Sequence, residues 1–375
     1  MNSIRTAIVG CGVISEVYAE TLKSKFSIIE LVACTDLDEK RMTDLAAKYQ
    51  LRCMRWEDIL VDKSIEMIIN LTNPAIHYSL TKQALLASKH VFSEKMIATT
   101  LEEGKELCEI AKRCNVRLGV APDTFLGSGI QTANGAISQG LMGKVLSGVI
   151  SLSRDNNIFG EIIPHLHKKG GTMLYDMGCY YFTALVSILG NVKKISAFGK
   201  IEAAKRKSCR IGSPSFGTTI EVEDYNVITA LLELESGAIV TVHLNSESIL
   251  DETYEFLLFG NKGVLSLSNP NEFDGDVLLQ KACNEAVVLP NTHGFKEQSR
   301  GVGAAEMAWA IKGQRAHRAD MYMALHVLEI AQGITQSIEK GEVYSMTTTF
   351  EKPAPLQEGY IGNGFWGPVE ESALI

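Results

Sequence analysis

The sequence predicts an α/β protein, with a parallel sheet in its first third and a large, mostly antiparallel sheet in the rest. Three observations support this fold class. Strand-like runs alternate with helical stretches over the first 120 residues, a glycine-rich turn joins the first strand to the first helix, and later runs are separated by short glycine-containing gaps. Strand–helix alternation favours βαβ units and a parallel sheet, whereas short gaps with glycine favour hairpins.

The first part is predicted to contain a strand wherever a short β-rich run ends in small or polar residues. These strands cover residues 6–10, 28–35, 67–72, 90–93 and 116–120. Helical periodicity fills the gaps, over residues 14–25, 38–49, 75–88 and 101–114. Parallel sheets bind ligands beyond the carboxyl ends of their strands. We therefore expect the functional residues directly after these strands.

The second part is predicted as an α+β domain. A helix over 125–139 precedes a strand over 145–153, and the Gly-Gly pair at 170–171 opens a helix that runs to 189. Two hairpins follow, formed by 225–234 with 238–246 and by 254–259 with 264–268, and helices over 303–312 and 321–340 come last. We divide the chain into a nucleotide-binding domain (1–122), a substrate and oligomerisation domain (123–350) and a C-terminal arm (351–375), which is rich in proline and glycine.

Composition narrows the class of protein. The 375 residues are 46% hydrophobic and 21% charged with a net charge of −8, and they lack the concentrated basic face that a nucleic-acid partner requires. The eight cysteines form no C-x-x-C pair, which favours free thiols in a cytoplasmic protein. No window approaches the ~20 apolar residues of a membrane span, and the first apolar run is too short for a signal peptide. We expect a cytoplasmic protein without a membrane partner.

A glycine-rich turn marks the predicted nucleotide site. Gly10-Cys11-Gly12-Val13-Ile14-Ser15 is a G-x-G-x-x-S variant of the dinucleotide fingerprint. Its glycines allow a tight turn and a close approach of the pyrophosphate to the helix start, where Val13 and Ile14 lie. Asp36 follows Gly12 by 24 residues, near the ~20 expected for a carboxylate that binds the adenosine ribose. Because a carboxylate repels a 2′-phosphate, NAD is favoured over NADP, although Asp36 could instead cap the following helix.

Motifs in a fixed order resemble the glucose–fructose oxidoreductase, inositol dehydrogenase and rhizopine catabolism family, Gfo/Idh/MocA, over essentially the whole chain. They are Gly10-Cys11-Gly12, Thr72-Asn73-Pro74 with His77, Glu94-Lys95, and Gly170-Gly171 followed by Asp176-Met177-Gly178-Cys179-Tyr180. The resemblance implies a Rossmann domain that binds NAD and a second domain with a large open sheet. It also implies a homodimer or homotetramer, and a small carbohydrate or polyol as substrate.

The resemblance assigns Lys95 to catalysis, beside the nicotinamide and the substrate hydroxyl. Oxidation of an alcohol needs a proton acceptor near the carbon that gives up hydride. A lysine in a partly dry cleft can have its pKa lowered towards neutrality, and we expect this of Lys95. Met96 stands where relatives often have proline. The peptide bond before it is therefore either trans, or cis through the packing of its neighbours.

Asp176 and Tyr180 are predicted to assist Lys95. They are four residues apart on a predicted helix, so both side chains fall on one stripe. Tyr180 occupies a position where relatives often carry histidine. We assign Lys95 as the acid/base, Tyr180 as its hydrogen-bond partner or relay, and Asp176 as the group that orients Lys95 and the substrate. The alternative is a polar helix face with an ordinary core tyrosine.

Other polar residues are weaker candidates. The resemblance places Thr72, Asn73, Pro74, His77 and Glu94 beside the cofactor, although His77 could equally be structural. Asp123 could bind substrate hydroxyls or cap the next helix. Further candidate substrate contacts lie in the second part, at Arg154, His165, His167, His293 and Arg300. No metal is expected, because the two neighbouring histidines lack a carboxylate or cysteine at ligand spacing.

Three functions fit these residues. The leading hypothesis is an NAD-dependent dehydrogenase that oxidises a hydroxyl of a sugar, glycoside or polyol. A second is a glycosidase that oxidises its sugar transiently with NAD, eliminates the leaving group and then returns the hydride. A third is a non-catalytic sensor of sugar or NAD. Retention of Lys95, Asp176 and Tyr180 together argues against a sensor, which needs no proton transfer.

Overall fold

The N-terminal part of the computed structural model is a parallel sheet with helices on both faces. The structure describes residues 3–156, 164–209, 211–213, 216–249 and 252–358. The six strands lie in the order β3-β2-β1-β4-β5-β6. Their bounds are β1 Ile4–Val9, β2 Ile29–Thr35, β3 Arg52–Cys53, β4 Met67–Asn70, β5 His90–Ser93 and β6 Leu118–Val120. The predicted parallel sheet is confirmed, and its order reverses between β1 and β4, where such folds bind dinucleotides.

Four of the five described helices of this part begin and end close to their predicted bounds, and one was not predicted. The five are α1 Val13–Lys25, α2 Glu39–Tyr49, α3 Trp56–Val61, α4 Pro74–Leu86 and α5 Leu101–Arg113. The sequence did not predict β3 or α3, because two and six residues are too few to show a period. Both elements lie beside the carboxyl end of β2, so they add a wall to the predicted nucleotide site.

The second sheet is mixed but mostly antiparallel, in agreement with the prediction. Its nine strands lie in the order β16-β15-β14-β13-β7-β12-β11-β8-β17, and only β12 and β7 pair in parallel. The strands are β7 Val145–Ser153, β8 Val192–Lys200, β11 Val227–Leu234, β12 Ile239–Asn245, β13 Thr253–Gly260, β14 Val264–Ser266, β15 Val277–Gln280, β16 Val287–Leu289 and β17 Tyr344–Ser345. A separate hairpin pairs β9 Lys205–Lys207 with β10 Thr219–Glu221.

Helices of the second part pack against the second sheet or against the first part of the chain. They are α6 Ser128–Ser138, α7 Met173–Asp176, α8 Gly178–Leu189, α9 Val302–Lys312 and α10 Met321–Lys340, with 3₁₀ turns at Thr124–Leu126 and Pro164–His167. Helix α8 is buried over nearly its whole length, and α10 packs on β8, on α8 and on α5 of the first part. None of the described helices combines the length and apolar character that crossing a membrane requires.

The predicted helix over 171–189 is wrong in one respect, because the structure divides it at Met177. The Tyr180 amide donates to the Met177 carbonyl at 3.1 Å, an i→i+3 bond that replaces the usual bond to residue 176. Asp176 therefore ends α7 and Tyr180 lies in the first turn of α8. The break leaves the Asp176 carbonyl oxygen available to a side chain from elsewhere in the chain.

Candidate active site

A groove of about 960 Å³ runs along the carboxyl edge of β1, β2 and β4. At its centre Gly10 has a φ of +92°, and a Cβ there would lie 2.8 Å from the Leu71 carbonyl group, so glycine is required. A Cβ at Gly12 would meet nothing within 4 Å, which leaves the backbone open to the groove. The apolar side chains of Val13 and Leu37 are 93% and 101% exposed on the same edge. This edge can seat a dinucleotide with its pyrophosphate at the start of α1.

Asp36 lines this groove beyond the carboxyl end of β2. Its Oδ2 accepts from the Cys11 amide at 2.6 Å and its Oδ1 accepts from the Asp38 amide at 2.8 Å. The alternative that Asp36 caps α2 is wrong, because Asp38 is the N-cap and accepts from the Arg41 amide. Asp36 thus shapes the glycine-rich loop and borders the groove. The groove also contains residues that the sequence did not single out, among them Arg55 and Trp56.

The Thr72-Asn73-Pro74 turn borders both this groove and the adjoining cleft. Asn73 caps α4 by accepting from the Ala75 amide at 3.1 Å. His77 is fully buried, with Nε2 2.9 Å from the Thr72 carbonyl oxygen and Nδ1 3.0 Å from the Met96 carbonyl oxygen. Burial lowers the pKa of His77, and the two carbonyl oxygens that face its ring nitrogens oppose this shift. His77 holds the turn against the loop that follows β5.

A smaller cleft of about 290 Å³ continues from the groove and contains Lys95, Asp176 and Tyr180. The Lys95 Nζ donates to Asp176 Oδ1 at 2.7 Å and to the Asp176 carbonyl oxygen at 2.8 Å. It also lies 5.1 Å from the centre of the Tyr180 ring. The bond between Lys95 and Met96 is cis, the second of the two possibilities that the sequence left open. The structure thus brings the three predicted catalytic residues together.

The charge of Lys95 differs from the expectation. Burial has the largest single effect and opposes the ammonium form, but the attraction of Asp176, together with smaller contributions from Tyr180 and other groups of the cleft, outweighs it and raises the pKa of Lys95 well above its ordinary value. The prediction of a lowered pKa is therefore wrong, because it weighed the burial of Lys95 but not the charge of Asp176, which it assigned only as an orienting group. Burial opposes the charge of Asp176 as well, yet Lys95 and Arg154 lower its pKa. At neutral pH the cleft holds an ammonium–carboxylate pair.

Two arginines flank the pair. Arg154 NH2 donates to Asp176 Oδ2 at 3.1 Å, and Arg154 Nε donates to Asn156 Oδ1 at 2.6 Å. The Arg300 guanidinium lies 6.0 Å from the centre of the Tyr180 ring and belongs to the lining of the cleft. Burial raises the pKa of the Tyr180 phenol, so it is a proton donor at pH 7. From the sequence, Arg154 and Arg300 were only weak candidates for substrate contacts, because the residues that they contact come from distant segments.

Glu94 and Asp123 have different environments. Glu94 lines the cleft and accepts from the buried Tyr18 hydroxyl at 2.8 Å. Asp123 is 1% exposed and its Oδ2 accepts from the amides of Gly301 and Gly303, at 2.8 and 2.9 Å. Both predicted roles of Asp123 are wrong, because it serves the start of α9, a helix distant in sequence, and cannot reach a substrate. Burial raises its pKa to about 6.

The predicted histidine contacts are not part of the described cleft. His293 is 3% exposed and its Nε2 lies 3.0 Å from the Leu356 carbonyl oxygen, so its prediction as a substrate contact is wrong. His167 is 4% exposed, and the described linings of the cleft and groove do not include it. The side chain of His165 lies outside the described residues.

Comparison with known families identifies both parts of the chain. Residues 4–121 match the model described as "Oxidoreductase family, NAD-binding Rossmann fold". Residues 130–266 match the model described as "GFO/IDH/MocA C-terminal domain". The two matches together span most of the sequence, from β1 to β14.

Characterised relatives are distant but extend over most of the chain. D-xylose dehydrogenase of Paenarthrobacter nicotinovorans is 26% identical over 325 residues, which cover 79% of this chain and 81% of the relative. D-glucoside 3-dehydrogenase of Escherichia coli is 24% identical, covering 68% of this chain and 75% of that protein. Myo-inositol 2-dehydrogenase of Thermotoga maritima is 23% identical, covering 72% and 76%.

Solved structures share the fold. Levoglucosan dehydrogenase in complex with NADH and L-sorbose superposes with a TM-score of 0.80 at 15% identity, covering 92% of this chain and 99% of that chain. An oxidoreductase from Agrobacterium radiobacter in complex with NAD+, L-tartaric acid and magnesium gives a TM-score of 0.77 at 16% identity, covering 92% and 98%.

Proposed function

The chain belongs to the Gfo/Idh/MocA family of oxidoreductases, and from this premise we propose that it oxidises a hydroxyl of a sugar, glycoside or polyol with NAD. The observation that supports the proposal most is the Lys95–Asp176 pair in a cleft that continues into the dinucleotide groove. The relatives named xylose, glucoside and inositol dehydrogenases suggest the substrate class.

The groove fits NAD in this proposal. Gly10 and Gly12 leave room for the pyrophosphate, and Asp36 is positioned to accept from the adenosine ribose hydroxyls. Thr72, Pro74 and Glu94 line the cleft where the nicotinamide half would lie. NAD supplies hydride acceptance when it is bound, and the protein supplies orientation and proton handling.

Lys95 is the proposed proton-transfer group. In reduction its ammonium donates a proton to the carbonyl oxygen of the substrate. In oxidation it must first release that proton, and only then can it accept one from the hydroxyl. The second step is general base catalysis, which typically contributes 10²–10⁴-fold to rate. Because the attraction of Asp176 keeps Lys95 protonated at neutral pH, oxidation should be faster at alkaline pH.

The remaining groups of the cleft position Lys95 and the substrate. Asp176 holds the amine with both its carboxylate and its carbonyl oxygen. Arg154 fixes the other carboxylate oxygen, so the carboxylate cannot rotate away from Lys95. Tyr180 is a neutral donor beside the amine, and we propose that it donates a hydrogen bond to the reacting oxygen.

We further propose a cytoplasmic homo-oligomer. All eight cysteines are free, as expected in a reducing compartment. Part of the outer face of the second sheet is apolar, with Phe198 81% and Leu231 48% exposed. A partner subunit on that face would remove this apolar surface from water.

A substrate screen with a lysine variant tests the proposed activity. The purified protein is mixed with NAD and a panel of sugars, methyl glycosides and polyols, and NADH is followed by its near-ultraviolet absorbance. At least one substrate should give stoichiometric NADH. Lys95→Ala should lower the rate at least ~100-fold while the affinity for NAD, measured by calorimetry, stays within about threefold. Lys112→Ala, on the exposed face of α5, is the matched control and should behave as wild type.

Other outcomes discriminate among the alternatives. Near-full activity of Lys95→Ala would contradict the assignment of the lysine. Cleavage of a glycoside without accumulation of NADH would identify a glycosidase. Binding of NAD and sugar without any turnover would identify a sensor.

A further inference from the structure

A second cavity opens beside the catalytic cleft. It measures about 620 Å³ and shares lining residues with the cleft at Pro74, Met96, Gly170, Gly171 and Tyr175. The Gly170-Gly171 segment presents no side chain where the two spaces meet. A molecule that reacts at Lys95 can therefore extend into this adjoining cavity, which we call the side groove.

One wall of the side groove is a stripe on α10. Leu328, Gln332, Gln336 and Glu339 line it, at spacings that place them on one face of the helix. The buried Leu328 forms an apolar base, and longer polar side chains follow towards the surface. A helix face that only packed against the core would be apolar throughout. The stripe therefore gives the side groove a polar wall that can hydrogen-bond a ligand.

The opposite walls of the side groove are also polar. Thr99 and Thr100 come from the loop before α5, and Asn73 comes from the turn before α4. The Thr99 hydroxyl donates to Glu103, and the oxygens of Thr100 and Asn73 accept from amides in the first turns of their helices. The Thr100 hydroxyl proton and the Asn73 amide nitrogen are the remaining donors that a sugar hydroxyl could meet. Gln332 already donates to the Thr99 carbonyl oxygen at 3.0 Å, and this contact fixes the amide at the wall. Such walls match a polyhydroxylated ligand better than an apolar one.

The charges around the rim balance one another. Lys168 pairs with Glu223 at 2.5 Å. Lys169 and Glu339 both lie near Asp224, and the first lowers the pKa of that carboxyl group whereas the second raises it. The rim thus offers no excess of positive charge for a phosphate or carboxylate. A neutral ligand is favoured.

The cleft and the side groove differ in volume. The cleft of about 290 Å³ must hold the reacting ring and the nicotinamide end of the cofactor together. The side groove of about 620 Å³ lies within the ~300–1,000 Å³ typical of ligand sites. A single sugar fills the first space and leaves the second open.

The geometry points to a substrate of two linked units. The unit that is oxidised lies at Lys95, and a second, neutral, polyhydroxylated unit joined by a glycosidic bond occupies the side groove along α10. This inference rests on the proposed function, because it assigns the second half of a substrate whose first half is oxidised in the cleft. The substrate class is therefore a disaccharide or a comparable glycoside.

A comparison of matched substrates tests the side groove. NADH formation is measured with D-glucose, D-galactose, D-mannose and D-xylose, their methyl glycosides, and disaccharides that carry each unit at the non-reducing end. For the unit that reacts fastest, the disaccharide should exceed the methyl glycoside about tenfold in kcat/KM, as expected for one or two added hydrogen bonds. Equal values for the two substrates would overturn the side groove and leave the proposed function standing.

A double variant localises the effect. Gln336→Ala with Glu339→Ala keeps good helix formers on the surface of α10. Its kcat/KM for the disaccharide should fall about tenfold more than its kcat/KM for the methyl glycoside. Gln139→Ala, at the exposed end of α6, is the control and should leave both values unchanged. Equal losses on the two substrates would also overturn the proposal, and a melting curve confirms that the variant is folded. An enzyme that forms no NADH with any substrate would overturn the proposed function and this inference with it.

Discussion

At the scale of single residues, the charge state of Lys95 depends on its neighbours. The sequence identified Lys95, Asp176 and Tyr180 by their motif positions, and the structure brings them together. It could not give the raised pKa of Lys95, since that depends on a contact between segments 81 residues apart. It also could not show that Arg154 shares the carboxylate of Asp176. Motifs specify which groups are present, and folding decides their protonation.

The pH dependence of oxidation should report this contact. Only the neutral amine of Lys95 accepts a proton, so the wild-type rate of oxidation should rise with pH towards the raised pKa. Asp176→Asn removes the attraction that contributes most to raising the pKa of Lys95. The effect of burial, which lowers this pKa, then has less to counter it. The alkaline limb of the kcat/KM profile should then move to lower pH, even though the maximal rate falls.

The control for this measurement is Asp44→Asn. Asp44 is exposed and pairs with Lys40 on α2, away from the cleft. Its profile should coincide with the wild-type profile. An alkaline limb that stays in place in Asp176→Asn would show that Lys95 is not the group that titrates.

At the scale of elements, the start of α9 depends on a buried carboxylate. Asp123 accepts from the amides of Gly301 and Gly303, and a Cβ at Gly303 would lie 2.8 Å from the Asp123 Cβ. Its predicted roles were wrong because sequence proximity favoured the next helix, whereas the helix that it serves begins about 180 residues later. Contacts between residues so far apart along the chain leave no local pattern in the sequence.

Asp123 also makes stability depend on pH. Burial raises its pKa from 3.8 to about 6, so the folded protein favours the protonated form. The contribution of this group is fully favourable below pH ~4 and is lost as the pH rises through ~6. Asp123→Asn keeps an oxygen acceptor and does not titrate. From pH 4 to pH 7, the free energy of unfolding of this variant should increase by on the order of 2 kcal/mol relative to that of the wild type.

Denaturant unfolding of both proteins at a series of pH values measures this difference. Asp58→Asn, an exposed change on α3, should show no pH-dependent difference from wild type. A difference between Asp123→Asn and wild type that is constant with pH would show that Asp123 does not titrate in this range.

The break between α7 and α8 is a second feature that periodicity missed. Residues 173–189 are helical on both sides of Met177, so the apolar pattern continues through the break. The change from an i→i+4 to an i→i+3 bond alters the backbone without altering the composition. Its effect is nevertheless central, because it exposes the Asp176 carbonyl oxygen to Lys95.

At the scale of the whole molecule, the sequence predicted both sheets and missed several of their strands. The alternation of strands and helices and the hairpin gaps were sufficient for the architecture. The unpredicted strands β9, β10, β15, β16 and β17 have two to four residues, too few for a reliable alternation. Strand β8 has nine residues but was missed because lysine and glycine interrupt its apolar positions.

The open face of the second sheet should mediate self-association. Phe198 on β8 is 81% exposed and lies close to Leu231 on the neighbouring β11. Analytical ultracentrifugation of the wild type should give a dimer or tetramer. Phe198→Glu with Leu231→Glu should give a monomer, because charges on this face cannot be buried without partners. Val61→Glu, at an exposed apolar residue of α3, should remain oligomeric, and a wild type that sediments as a monomer would contradict the prediction.

The contact between Lys95 and Asp176 joins the two halves of the chain. One residue follows β5 of the parallel sheet and the other ends α7 beside the second sheet, so this ion pair links the two parts of the chain. If a substitution broke the pair, the ammonium would lose its carboxylate and its affinity for a proton would fall. By linkage, protonation of the lysine must stabilise the contact between the two parts to the same extent. The proton held at Lys95 therefore contributes to the packing of one part of the chain against the other.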